Sequence, residues 1–179
     1  MTFVEDQQSV LKDCTERLEK IGVPYMLTGS MAMLQYSIGR MTRDIDIVIE
    51  VSEISVEEFI KNFEDNYYIP QQRVKDAFAR RFMFNLLHQE TVVKIDCVIK
   101  KETEFQNQAF SKRRKIKYGD FEVWTISKED LILSKLLWAK DTRSEMQMRD
   151  VAILLLGEYD EQYVETWAEK LQVETLLME

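Results

Sequence analysis

The sequence predicts an α/β fold: a mixed β-sheet with flanking helices, then a C-terminal half built from helices alone. Three observations carry this. "DIDIVIEV", Asp44 to Val51, alternates polar and β-branched residues, the pattern of a strand with one buried face. "RFMFNLLH" and "VVKIDCVI", joined through "QET", read as one hairpin, and "RKIKYGDFEVWTI" as another that turns at Gly119-Asp120. Past Ile126 only helical patterns appear, in "LILSKLLWAK", "MQMRDVAILLL" and "YVETWAEKL". The expected organisation is an α/β core over 1–126 and a helical region over 127–179 packed on it. No repeat or linker divides the two.

The remaining elements follow in order. Leu11, Cys14, Leu18 and Ile21 recur at three- and four-residue spacing, so the first twenty residues form an amphipathic helix. Gly22 and Pro24 end it. "YMLT" is a short buried strand, and Gly29-Ser30 opens a second helix. "SVEEFIKNF" is a helix with Phe59, Ile60 and Phe63 on one face. "SKED" is a capping box on Ser127 and Asp130, with Asp in place of the usual Glu or Gln.

Composition bounds the function. With 179 residues, 45% of them apolar, and only five Gly and two Pro, the chain can bury a sizeable core. A net charge of −8 argues against general nucleic-acid binding, which needs a surplus of Lys and Arg at the phosphates. Cys14 and Cys97 match no metal-ligand spacing and read as reduced thiols. No apolar segment is long enough for a signal or a membrane span, so the expected location is cytoplasmic.

Residues two apart on a strand share a face, so Asp44 and Asp46 point together while Ile45, Ile47 and Ile49 point to the core. In "KIDCVI", Ile95, Cys97 and Ile99 point inward and Asp96 outward. If the two strands are neighbours, three carboxylates converge. Like charges about 4 Å apart cost on the order of 4 kcal/mol per pair at an effective dielectric near 20. A divalent cation would relieve that cost, and magnesium suits it as a hard ion held by carboxylates together with substrate phosphates. Gly29 lets the backbone approach a ligand closely, and Ser30 sits at a helix N-terminus, where free N–H groups favour an anion. A phosphate cradle beside an acidic cluster describes a nucleoside triphosphate site, with two magnesium ions bridging the phosphates.

Gly-Ser, thirteen intervening residues, then Asp-hydrophobic-Asp-hydrophobic resembles the signature of the nucleotidyltransferase superfamily with the polymerase-β-type fold. Asp96 falls where that superfamily carries its third carboxylate. The blocks "GVPYMLTGSMA", "RMTRDIDIV", "MFNLLHQETVVKID", "EDLILSKLLWAK", "SEMQMRDV" and "WAEKLQVETLL" resemble a bacterial family of unassigned role, grouped with AbiEii-type nucleotidyltransferase-like toxins. The resemblance implies that Asp44, Asp46 and Asp96 hold magnesium and carry catalysis, with Asp96 also a candidate general base. It implies that Gly29, Ser30, Arg40, Thr42 and Lys135 bind the nucleotide. Thr28 departs from the superfamily pattern, which often has a hydrophobic residue there. No acceptor is implied.

Other conspicuous residues have structural readings. His88, the only histidine, lies beside a hairpin turn and reads as hydrogen-bonded scaffold. Lys112, Arg113, Arg114, Lys115 and Lys117 read as a solvated edge strand that resists aggregation. Glu145, Arg149 and Asp150 suit a salt-bridged helix contact or a substrate surface, and Trp124, Trp138 and Trp167 are expected in the core. Two functions remain. One is a magnesium-dependent enzyme moving a nucleoside monophosphate from a triphosphate to a hydroxyl of a small molecule, protein or tRNA. The other is a catalytically silent module that acts on a protein partner, as in a toxin–antitoxin pair.

Overall fold

The computed structural model describes residues 2–39 and 42–178. Helix α1 (Phe3–Lys20) starts on a capping box between Thr2 and Glu5 and buries Val10, Leu11, Cys14 and Leu18 along one stripe. Gly22, at φ +67°, takes the left-handed turn that releases the chain into β1 (Tyr25–Thr28). A single helical turn, α2 (Gly29–Met33), follows directly, and β2 (Asp44–Ile49) then runs back antiparallel to β1. Helix α3 (Val56–Phe63) buries the expected Phe59, Ile60 and Phe63 from its Ser55 cap.

The next stretch adds two elements for which the sequence reading held no expectation. One is the short strand β3 (Tyr67–Tyr68); the other is α4 (Gln71–Arg80). Most of α4 is polar, and only Val74 and Ala77 are buried, so its apolar stripe is too thin to stand out. Strands β4 (Met83–His88) and β5 (Lys94–Ile99) form the expected hairpin. Helix α5 (Glu104–Ser111), also unanticipated, starts on a Thr103 cap and buries Phe105, Ala109 and Phe110. The second hairpin is β6 (Arg114–Tyr118) with β7 (Phe121–Thr125), turning at Gly119 with φ +60°.

The seven strands lie in the order β3-β4-β5-β2-β1-β7-β6. The sheet is mixed: β2–β5 and β1–β7 run parallel, and the other pairs run antiparallel. Strand β6 ends the sheet, and its Arg114, Lys115 and Lys117 are exposed, as an edge guarded by charge requires. One sheet face is dry. Ile45, Ile47, Ile49, Phe84, Leu86, Ile95, Cys97 and Ile99 are all buried on it. On the opposite face Asp44, Asp46, Val48, Asn85, Leu87, Lys94, Asp96 and Val98 stay partly open to water.

Helices complete the chain. In α6 (Lys128–Thr142) the Ser127 hydroxyl accepts from the Asp130 N–H, but its own proton goes to the Asp130 carboxylate. Asp130 is thereby tied to the cap side chain and to Tyr163, not to the cap backbone. Helices α7 (Glu145–Leu155), α8 (Glu161–Lys170) and α9 (Glu174–Met178) pack around α6, which buries Leu131, Ile132, Leu133, Leu136 and Ala139. Trp167 is buried and Trp124 half-buried. Trp138 corrects the expectation of a core tryptophan, because it is 52% exposed on the outer side of α6. Among the described residues no helix is long and apolar enough to cross a membrane.

Candidate active site

The acidic residues meet because of register. Asp46 pairs with Asp96 across the parallel β2–β5 ladder, Thr28 pairs with Asp46 across β1–β2, and Asn85 with Asp96 across β4–β5. Paired residues share a face, so Thr28, Asp46, Asp96 and Asn85 form one row across four strands. Asp44 and Lys94 form the neighbouring row. All three sequence-predicted carboxylates therefore lie on the open face, with Asp46 and Asp96 side by side.

Their environments differ. Asp44 is the most exposed, with its side chain 42% accessible against 15% for Asp96. Burial raises the Asp46 carboxyl to about 7, and the Asp96 and Asp44 charges push the same way against weaker pulls from Lys135 and Lys94. The Asn85 amide donates to Asp96 Oδ1, and Lys94 Nζ lies 3.2 Å from both that oxygen and Asp44 Oδ2. Among the described residues no three of His, Cys, Asp and Glu close into a ready ion-binding shell. In its place the ammonium of Lys94, from the neighbouring row, lies between Asp44 and Asp96. A cation already rests between two of the carboxylates, and the donors are hard oxygens of the type magnesium takes, so the chemistry of the set fits that ion.

Gly29 closes the other end. It has φ +66°, and a Cβ there would lie 2.7 Å from Asp46 Cγ, so only glycine lets the turn and the carboxylate share the space. Ser30 behind it is buried. Helix α2 is only five residues long, so its dipole is small and any pull on an anion comes from the turn's free N–H groups. Thr42 holds the start of β2: its hydroxyl lies 3.3 Å from both the N–H and the C=O of Asp44, while Gln7 on α1 donates to the Thr42 carbonyl at 2.7 Å. Arg40 lies outside the described residues.

Lys135 is buried, with Nζ 2.7 Å from Asp150 Oδ2 and 3.1 Å from Gln147 Oε1, and its charge is felt by Asp46. It stands beside the acidic row as half of a buried ion pair. Glu145 and Arg149 are exposed and 4.0 Å apart on α7, while Gln147, Asp150 and Val151 of that block turn inward. His88 is scaffold: Nδ1 accepts from the Thr91 N–H, and the ring lies edge-on to Tyr67. A separate cavity of about 840 Å³, lined by Ala139, Arg143, Met148, Leu155, Val173 and Leu176, lies between α6, α7 and α9, on other elements than the acidic row.

Three residues of the site escaped the sequence reading. Lys94 stands two positions before Asp96, so strand alternation alone puts it on the same face. Asn85 is the lone amide in an apolar strand, but its partner follows only from the hairpin register. Gln7 extends the buried stripe of α1, where a polar residue among Val10, Leu11 and Cys14 was the available signal.

A mixed sheet with this row and a Gly-Ser turn at its end is the architecture of nucleotidyltransferases. The chain belongs to the nucleotidyltransferase family of unknown function (DUF6036), which matches residues 3–169. Its fold is similar to that of ANT(2'')-Ia, solved in complex with adenylyl-2''-tobramycin, with a TM-score of 0.62 at 12% identity over 95% of this chain and 99% of that one. It is also similar to the lincosamide antibiotic adenylyltransferase LnuA, solved with lincomycin bound. There the TM-score is 0.54 at 21% identity, over 80% of this chain and 93% of that one. An antigenic nucleotidyltransferase-like protein from Paracoccidioides brasiliensis gives 0.57 at 17% identity, over 96% and 91%. No curated protein matched.

Proposed function

We propose that this protein transfers a nucleoside monophosphate from a nucleoside triphosphate to a hydroxyl of an acceptor, using Asp44, Asp46 and Asp96. The observation that carries this is the pairing of Asp46 with Asp96 in one row that ends at Gly29. Magnesium, held by the three carboxylates, would supply charge neutralisation to the triphosphate. The backbone at Gly29-Ser30 takes the β- and γ-phosphates; Thr42 at the start of β2 and, from the sequence resemblance alone, Arg40 are further nucleotide-binding residues in this reading. Lys135 contributes its charge from behind Asp46.

The row has two ends, and that sets direction. With the leaving phosphates at the Gly29 end, in-line attack places the acceptor at the opposite end, above β5 and β4. Asp96 takes the proton of the attacking hydroxyl. The acceptor's hydroxyl oxygen bonds to the α-phosphorus, the bond to the oxygen bridging to the β-phosphate breaks, and pyrophosphate leaves. Asn85 fixes the Asp96 carboxyl for that task. Leu87 and Tyr68, adjacent on the same face, offer the acceptor a partly apolar floor.

Two adenylyltransferases of the same fold, with antibiotic chemistry in their structures, make a small hydroxyl-bearing molecule the favoured acceptor. The free, buried Cys14 and Cys97 suit a reducing cytoplasm. Kinship with AbiEii-type proteins remains part of this reading on the sequence blocks alone. A silent partner-binding role has no observation of its own, since the carboxylates and the Gly-Ser turn are all retained. The test is calorimetry with each triphosphate and magnesium on the native protein and on Asp44→Asn. Binding that needs the metal and is lost in the variant supports transfer; metal-independent binding, or none, overturns it.

A further inference from the structure

Lys94 takes no part in the transfer reaction, yet it lies between two carboxylates of the acidic face. We propose that Lys94 is the resident counter-cation of the metal-free site, and that the metal must displace its ammonium to bind. The inference rests on the nucleotidyl-transfer reading and adds a residue that controls when the site accepts an ion.

Geometry makes the case. The parallel register sets Lys94 directly opposite Asp44, and its own strand sets it two positions before Asp96. Its Nζ bridges the two carboxylates at 3.2 Å each. This is the space between Asp44 and Asp96 that an ion shared by the three carboxylates has to enter, and ammonium and metal exclude each other there by size and charge. Without Lys94 the face would hold three carboxylates and no cation bonded to any of them among the described residues. With it, Asp44 and Asp96 are held in place before any ligand arrives.

The lysine is also built to leave. Its side chain is 40% exposed, so the ammonium moves into water without desolvation. The pair with Asp44, exposed on both sides, is weak, and a divalent ion outcompetes it. The Asn85 amide donates to the same Asp96 oxygen, so the carboxylate has a second donor that does not leave with the ammonium. The carboxylate that receives the proton therefore stays oriented while its cationic partner is exchanged. Lys94 is thus a positioning residue that acts through the carboxylates.

The experiment is calorimetric titration with Mg2+ or Mn2+ alone, without nucleotide, on the native protein, Lys94→Met and Lys94→Arg. Lys94→Met is expected to bind the metal about three- to tenfold more tightly at low salt, with the gain shrinking as salt rises. Lys94→Arg keeps the charge and is expected to bind no more tightly than the native protein. Thermal melting in EDTA supplies a second readout. Lys94→Met melts lower than the native protein, and Mn2+ raises its melting point by the larger increment. Equal metal affinity in native and Lys94→Met proteins, or a weaker affinity in the variant, overturns the counter-cation role and leaves nucleotidyl transfer standing. If neither protein takes up metal even with triphosphate present, both proposals fall.

Discussion

Gly29 and Asp46 share one small volume: a methyl on residue 29 would lie 2.7 Å from Asp46 Cγ and 2.8 Å from its Cβ. The turn that leads into α2 and the carboxylate at the centre of the row therefore depend on each other. Gly29→Ala meets both that clash and a left-handed backbone, and is expected to cost about 1–3 kcal/mol of stability. Urea unfolding measures it. Because Asp46 is the group displaced, metal-dependent triphosphate binding should fall by more than the stability loss alone explains. Comparison with Gly22→Ala, which has the same backbone strain but nothing within 4 Å, isolates that excess.

A carboxyl held near 7 gives a pH dependence of definite sign. Between about 4 and 7 the folded Asp46 keeps a proton that the unfolded chain has lost, so metal-free stability falls as pH rises through that window. At about 1.36 kcal/mol per unit, the loss is on the order of 4 kcal/mol. Denaturant unfolding in EDTA across this range should show the slope in the native protein and a shallower one in Asp46→Asn. Metal competes with the same proton, so magnesium affinity should rise up to about pH 7 and level off above it.

The same reasoning makes Asp46→Asn a stabilising change. At pH 8 without metal it removes a charge that the fold holds at a cost. The melting temperature in EDTA is expected to rise by a few degrees, equivalent to about 1–3 kcal/mol. Magnesium should no longer shift it. A variant that melts lower in EDTA would mean that Asp46 supports the fold instead of burdening it.

Asn85→Leu tests the far end of the row. Leucine fills the space but leaves Asp96 Oδ1 without its amide donor. Turnover is expected to drop at least about tenfold, with triphosphate affinity little changed, since the proposed seat of the phosphates is the Gly29 end. Single-turnover kinetics separates the two effects.

Arg17 supplies a contrast away from the site. It binds Asp13 and Asp65, donates to the Asn62 carbonyl, and lies over the rings of Phe63 and Tyr67. Arg17→Met should cost about 1–2 kcal/mol in unfolding experiments while leaving triphosphate affinity unchanged.

Strand alternation made the acidic face legible. "DIDIVI" and "KIDCVI" each assign their carboxylates to one side, because a buried opposite face leaves no other register. The neighbour relation of β2 and β5 was a supposition in the sequence, since the strands are separated by α3, β3, α4 and β4. Helices α4 and α5 stayed hidden because short polar helices bury only two or three residues each. Trp138 misled because hydrophobic character alone does not say which side of a helix faces in. Lys135 was legible only through the family resemblance, as a nucleotide-binding residue, and its pairing with Asp150 depends on how α6 and α7 pack.

The β2–β5 ladder joins residues fifty positions apart, with four other elements made in between. During synthesis, a nascent chain that has reached only β4 carries half of the acidic row and exposes one edge of β2. That intermediate lacks Asp96 and leaves an open strand on which another chain can pair. Insertion of β5 covers that edge of β2 and sets Asp96 beside Asp46 in the same event, so protection of the edge and assembly of the proposed site arrive together.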